Sequence, residues 1–438
     1  MNLANRRTSG NCVEELRNKN TGRTVLTAQD TARPRVLHVV TSPLGLGLMR
    51  GQPEFLCQVG FDVKLASAPD PLAGHPLGTE SAQWFSAPLE REIAPLKDLR
   101  AFWRLCRLLR RVRPSITNVS MPKAGLLGGL AAWLMRVPCR FYTLRGLRLE
   151  TARGLKRCVL LLVEHITCRC AHRVICVSES VRQKAVALGV VDVSRTVVLS
   201  SGSSNGVDGK RFAPTAELLR RAVELRKEHR IPIDAPVVGF VGRFTRDKGL
   251  TELVSAYSGL REQFPALRLL LVGDFEEGDP VAPEARERIE TDPQIVHAGF
   301  VVDPAPWYHV MDLLALPSHR EGFPNAVLEA NAAGKPIVAA AATGTVDAVL
   351  DGVTGMLVPV GDAQALAYAL ALLLSNKALA AAMGHAGRER VLREFEQEII
   401  WSALAKEYSQ MLEEKGLLAR SNAARQQTEP VTFAGGLG

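Results

Sequence analysis

From Arg35 onward, short β-branched apolar runs alternate with longer stretches whose apolar positions recur every three or four residues, the two periods that separate strands from amphipathic helices. The first series of short runs is VLHVVT (36–41), FDVKLAS (61–67), ITNVS (116–120), RFYTL (140–144), RVICVS (173–178) and RTVVLS (195–200). Short runs separated by helical stretches predict parallel strands joined by crossovers. A charged helix, AELLRRAVELRKEHR, then ends near His229, and the pattern restarts. The second series is PVVGFVG (236–242), LRLLLVG (267–273), IVHAGF (295–300), LLALPS (313–318), KPIVAA (335–340) and TGMLVP (354–359). A final helix is expected over about 390–415, REFEQEIIWSALAKEYSQMLEEK.

Two such series predict an α/β chain of two doubly wound units, with ligands in the cleft between the carboxyl ends of their strands. The expected layout is a disordered segment over 1–32, a first Rossmann-like domain over 33–215 and a second over 216–395, joined near 212–235. A C-terminal helix over 396–420 returns to the first domain, and 421–438 form a disordered tail. Both ends are polar or rich in breakers.

Composition agrees with globular folding: 47% of the 438 residues are hydrophobic and 23% charged, close to the averages of about 45–50% and about 25%. No apolar run reaches the roughly 18–20 residues of a spanning helix, because Lys123, Arg136 and Arg140 bracket residues 124–137. The basic start lacks the apolar centre of a secretory signal, so a cytosolic protein is expected. The eight cysteines lack CxxC spacing and read as reduced packing residues. Cys168 and Cys170, near His165 and His172, have spacings that no common metal site uses, so no metal is expected.

The net charge of +9 is unevenly distributed. Residues 91–157 hold 16 lysines and arginines against three acids, Glu92, Asp98 and Glu150, an excess of 13 that leaves the remainder net negative by 4. Such a field attracts a polyanion or an anionic membrane. Leucines interleave the basic residues in FWRLCRLLRRVR, aromatic residues are few, and no nucleic-acid motif is present, so a membrane surface or a diphosphate substrate is favoured over nucleic acid.

The residues suited to chemistry cluster after expected strands. PVVGFVG runs into RFTRDKG, so Arg243 and Lys248 emerge at a strand's carboxyl end before a helix starting near Thr251. Two cations at a helix N-terminus suit a phosphate. The segment LLALPSHREGFPNAVLEANAAGKPIV sets Glu321 in a loop and Glu329 about two turns inside a helix. A nucleotide sugar fits this spacing: Glu321 faces sugar hydroxyls and Glu329 takes the ribose hydroxyls. Gly322 and Pro324 open the helix, whose dipole and the NH groups of Phe323 and Asn325 meet a diphosphate.

The loop TSPLGLGLMRG (41–51) carries Gly45, Gly47 and Gly51. Its spacing misses the dinucleotide fingerprint, which disfavours a dehydrogenase, while its glycines let backbone approach a phosphate or an acceptor. Asn118, Ser120 and Lys123 end the ITNVS strand facing the same cleft, and Arg148 joins them as acceptor contacts. His319, Thr345 and Asp347 are weighed as further sugar or nucleotide contacts against plain packing roles.

VGRFTRDKG, PSHREGFPNAVLEANAAGKPIVA and TGMLVPVGDAQALA, in this order and spacing, resemble the retaining family 4 glycosyltransferases of GT-B fold. The segments NVSMPKAGLLGGLAA, FYTLRGLRLETARGLKR, VICVSES and SGSSNGVDGKRF are similar to the branch that builds capsular and O-antigen-type polysaccharides on a polyprenyl-diphosphate carrier. The resemblance covers about 35–415 and implies a first, acceptor domain and a second, donor domain. It implies transfer from a nucleoside-diphosphate sugar, UDP-linked ahead of GDP-linked, without obligatory metal or other cofactor. Arg243 and Lys248 then bind the diphosphate, with Gly45, Gly47, Gly322, Phe323, Pro324 and Asn325 around the donor, Glu329 on the ribose and Glu321 on the transferred sugar. Many members carry His after the strand that here reads FYTLRG, whereas this chain has Arg145. A guanidinium holds phosphate but is no base at neutral pH, and in a front-face mechanism the departing diphosphate takes the acceptor proton.

The expected enzyme is thus cytoplasmic and peripheral on the inner face of the membrane, with Glu321, Arg145, Arg243 and Lys248 as its catalytic set. Transfer to a soluble sugar or small metabolite predicts the same donor residues without lipid dependence. A catalytically silent sugar-nucleotide binding module is the alternative from another class.

Overall fold

The computed structural model describes residues 33–69, 82–89 and 94–418. The expected disordered segments 1–32 and 421–438 lie outside the described residues. Strands β1 (Arg35–Val39), β2 (Asp62–Ser67), β3 (Gln83–Ser86), β4 (Ile116–Ser120), β5 (Cys139–Leu144), β6 (Arg173–Cys176) and β7 (Thr196–Val198) form one parallel sheet, ordered β3-β2-β1-β4-β5-β6-β7. Strands β8 (Val237–Val241), β9 (Arg268–Val272), β10 (Ile295–Gly299), β11 (Leu313–Leu316), β12 (Ile337–Ala340) and β13 (Gly355–Val358) form a second, ordered β10-β9-β8-β11-β12-β13.

Every expected apolar run is a strand because both faces of each sheet are covered: β4, β11 and β12 are buried along their whole length, as parallel strands between helical layers are. Strand β3 was not expected. Its sequence QWFS sits at the sheet edge with its ends exposed, so no apolar periodicity marks it, and Trp84 Nε1 donates to Ser67 Oγ at 3.0 Å to hold it to β2.

Three helices, Pro95–Val112, Pro122–Leu134 and Gly154–Cys170, pack side by side over one face of the first sheet. The middle one sits deep because its inner side is glycine and alanine; a Cβ at Gly125 would lie 3.0 Å from Tyr142. Helices Gln52–Gln58 and Gln397–Glu414 cover the opposite face, where Leu404, Tyr408, Met411 and Leu412 join the core of β1, β2 and β5.

The helix expected over 390–415 is broken. Lys377–Glu394 stops, Phe395 and Glu396 run as a bridge beside Val207, and Gln397–Glu414 starts afresh. The Val207 NH donates to the Phe395 carbonyl at 2.8 Å, so a backbone pairing from 188 residues upstream captures the peptide that a continuous helix would use. There the chain crosses from the second sheet's domain to the first. Among the described residues no single helix is long and apolar enough to cross a membrane; the bent pair Ala363–Ser375 and Lys377–Glu394 passes by composition, yet its Leu366, Leu370 and Leu373 are buried in the second domain's core.

Candidate functional site

Each sheet reverses its strand order once, between β1 and β4 in the first and between β8 and β11 in the second. At such a switch point the two following loops diverge and leave a crevice at the carboxyl edge. The loops at these edges meet across the cleft. Ser178 Oγ donates to the Gly322 carbonyl at 2.9 Å, Thr343 Oγ1 to Glu150 Oε2 at 2.7 Å, and Arg320 Nε to Thr151 Oγ1 at 3.1 Å.

On the β8–β11 side, Lys248 ends a 3-10 turn, Arg246–Lys248, ahead of helix Leu250–Leu260. Its Nζ lies 2.5 Å from Glu321 Oε1, with both side chains largely shielded from water. Sequence neighbours reinforce the loop: Arg320 pairs with Asp247 at 2.5 Å, and the His319 NH donates to the Asp247 carbonyl. His319 Nε2 lies 2.9 Å from Glu252 Oε1, a bond that pushes the imidazole pKa up and the carboxyl down. Arg243, more exposed, pairs with Glu276. The structure therefore brings Lys248 to Glu321, while Arg243 faces another acid.

Glu329 stands on the second turn of helix Asn325–Ala332, five residues after Pro324, which is the N-cap rather than a helical residue. Its Oε2 accepts from the Tyr308 hydroxyl at 2.7 Å, and burial pushes the carboxyl up to about 7 although Tyr308 opposes the shift. Asn325 opens that helix. Phe323 is buried, its ring 5.2 Å from Phe395. Gly322 has a steric reason to be glycine: a Cβ there would sit 2.0 Å from the Arg145 carbonyl oxygen, so its small size lets the two domains' loops touch.

On the other side, the segment expected as a glycine-rich loop folds into a short helix, Pro43–Gly47, because Pro43 presets its first turn. Gly45 packs toward Met121 and Val40, Gly47 faces open space, and Gly51 takes φ +81° beneath Trp401 of the C-terminal helix. Asn118 is buried, with Nδ2 donating to the Tyr408 hydroxyl at 2.7 Å and Oδ1 accepting from Thr143 at 2.8 Å. Lys123 pairs with Asp98 at 2.7 Å. Arg148 is exposed in the turn Arg148–Glu150.

Arg145 splits between the two sides. Its main chain touches the Gly322 loop, while its side chain lines a small cavity with His38, Gln52, Asn118, Ser120 and Thr143. One guanidinium nitrogen, Nη1, and His38 Nε2 are buried there without a hydrogen-bond partner. Burial first and the Arg145 charge second push the His38 imidazole down to about 3, and burial lowers Arg145 to about 10. The imidazole is neutral and the guanidinium charged at physiological pH.

Sequence reasoning missed Tyr308, which holds Glu329, and Ser180, which donates to Asp347 and accepts from the Gly344 NH across the cleft. Neither has a local signal: each gains its partner from a segment at least 21 residues away. Asp347, weighed as a nucleotide contact, is engaged by Ser180.

A family model described as "Glycosyl transferases group 1" matches residues 235–376, and one described as "Glycosyl transferase 4-like domain" matches 54–202. The chain is 34% identical over 385 residues to the capsular polysaccharide biosynthesis glycosyltransferase CapM of Staphylococcus aureus, covering 87% of this chain and 98% of that protein. It is 26% identical over 355 residues to the UDP-Gal:alpha-D-GlcNAc-diphosphoundecaprenol alpha-1,3-galactosyltransferase of Escherichia coli, covering 79% and 89% of the two. The solved sucrose-phosphate synthase of Thermosynechococcus elongatus superposes with a TM-score of 0.71 at 24% identity, over 87% of this chain and all of that one.

Proposed function

The chain belongs to the group 1 glycosyl transferases with the two-domain GT-B fold, and we propose that it is a retaining enzyme of cell-surface polysaccharide biosynthesis. In this reading it moves a sugar from a nucleoside-diphosphate sugar, UDP-linked ahead of GDP-linked, to a polyprenyl-diphosphate-linked saccharide at the inner face of the cell membrane. The observation that carries it is the Lys248–Glu321 pair at the β8–β11 switch point. A bound diphosphate supplies Lys248 with a better anion than Glu321, and the carboxylate released from the pair turns to the sugar hydroxyls. Glu329 accepts from the ribose.

As the bond from the sugar's anomeric carbon to the diphosphate breaks, charge builds on the leaving oxygen and is met by Lys248 and Arg243, which carry the role a metal would otherwise fill. The acceptor oxygen forms its bond on the face being vacated, and its proton passes to the departing phosphate. The relatives support the acceptor: one is named for capsular polysaccharide, the other for a diphosphoundecaprenol substrate.

A panel of radiolabelled UDP- and GDP-sugars, offered with and without a polyprenyl-diphosphate saccharide, tests the reading. Transfer that requires the lipid-linked acceptor and preserves the anomeric configuration is the expected result. Equal transfer to a soluble sugar favours the small-acceptor alternative, and nucleotide binding without transfer favours the silent module.

A further inference from the structure

We propose that the three-helix layer of the first domain is a docking surface for anionic phospholipid, set so that the cleft opens at the lipid; its purpose rests on the lipid-linked acceptor proposed above, its existence on the surface itself. On helix Gly154–Cys170, Leu155, Val159 and Leu162 recur at one-turn intervals as an outward ridge, Leu155 being 81% exposed. Arg153, Lys156 and Arg157 flank it, all exposed. On helix Pro95–Val112, Leu96, 78% exposed, Leu99 and Trp103 form a second ridge, beside exposed Arg100, Arg104 and Arg107.

Between these ridges runs helix Pro122–Leu134, PKAGLLGGLAAWL, whose one charged residue, Lys123, is paired with Asp98. The centre of the layer is therefore uncharged and its margins basic. That arrangement matches a bilayer surface, where apolar side chains enter the headgroup boundary and arginines meet lipid phosphates. Because each helix follows a parallel strand, its first turn lies at the carboxyl edge of the sheet, the edge that forms the cleft. Leu96, Leu99 and Leu155 thus stand at the cleft side of the layer.

Charge selects the occupant. The outer helices present exposed Arg100, Arg104, Arg107, Lys156 and Arg157, while the chain outside residues 91–157 is net negative, which orients this layer toward an anionic surface. A second copy on the same face would oppose two basic margins.

Vesicle flotation of the full chain tests the surface, with vesicles of phosphatidylglycerol and phosphatidylcholine against phosphatidylcholine alone. Wild type is expected on the anionic vesicles and to be released between about 0.05 and about 0.5 M salt. The double variant Leu155→Glu/Leu162→Glu should bind at least about tenfold more weakly, and Arg104→Ala/Arg107→Ala about 30-fold more weakly at low salt. Both replace exposed residues, so unchanged circular dichroism separates lost binding from lost folding.

Equal recovery on neutral vesicles, absence of a salt effect, or undiminished binding of both variants overturns the proposal. So does light scattering that shows a dimer which Leu155→Glu disperses. Wild type that transfers sugar to a lipid-linked acceptor without floating refutes the surface and spares the acceptor. Wild type that floats but glycosylates only soluble sugars supports the surface and refutes that acceptor.

Discussion

On the second sheet's edge of the cleft, Lys248 meets Glu321 at 2.5 Å, Arg320 meets Asp247 at 2.5 Å and His319 meets Glu252 at 2.9 Å. On the first sheet's edge, Arg145 buries a guanidinium nitrogen with no partner, beside a His38 nitrogen in the same state. Each of these charges already has an oppositely charged partner, whose place the charges of a ligand can take. An unpaired buried cation is costly, and an arriving anion or hydroxyl repays it. The second sheet's edge is thus a set of exchangeable contacts, whereas the first sheet's edge is a fixed network, tied through Asn118 and Tyr408 to the C-terminal helix.

The sharpest way to break the contrast is Glu321→Gln, which removes the charge that balances Lys248. Turnover at saturating donor should fall about 10²–10³-fold, with donor affinity changed far less; a matching loss of affinity in calorimetry would assign Glu321 to ground-state binding.

Glu329→Gln should weaken nucleotide binding by about 1.5–3 kcal/mol. Burial holds this carboxyl up at about 7, and ribose hydroxyls need its ionised form, so wild-type affinity should rise with pH through about 7 and the variant's should not. The stability sign is opposite. Between the ordinary carboxyl value of about 4.5 and about 7, the native state keeps a proton that the unfolded state has released. Unliganded stability therefore declines as pH rises through that window, and the variant should lose the slope in denaturant titrations.

A smaller effect is expected on the first sheet's edge. Arg145→Lys and Arg145→His should each lower turnover more than about tenfold, with donor affinity changed less, because the first loses the planar fork and the second the permanent charge. Wild-type turnover in either would show that this cation lies outside the reacting shell. The smallest effect tests the network: Tyr408→Phe deprives Asn118 Nδ2 of its acceptor, for about 1–2 kcal/mol. A melting temperature lower by about 2–4 °C with unaltered donor affinity is expected, and a shifted donor affinity would mean that the two edges communicate.

Strands β8 and β11 were legible with the residues that follow them, Lys248 and Glu321, because a buried parallel strand needs a continuous apolar run and its carboxyl end must hand over to a loop. The TSPLGLGLMRG segment misled, since glycines suggest a loop while Pro43 and packing against Val40 and Met121 allow a helical turn. Strand β3 was silent because a half-exposed edge strand requires no pattern.

By itself the sequence determined which runs become strands, that positive charge concentrates in the first domain, and which charged residues lie just past strand ends. These properties follow from local periodicity and composition, which each segment carries wherever it packs. Only the tertiary structure decided that Lys248 pairs with Glu321 while Arg243 turns to Glu276, that Tyr308 holds Glu329, that Arg145 points into the first domain, and that the last long helix breaks at Phe395. Each depends on a partner from a distant segment, and local periodicity does not record which groups the assembled sheets bring within hydrogen-bonding distance.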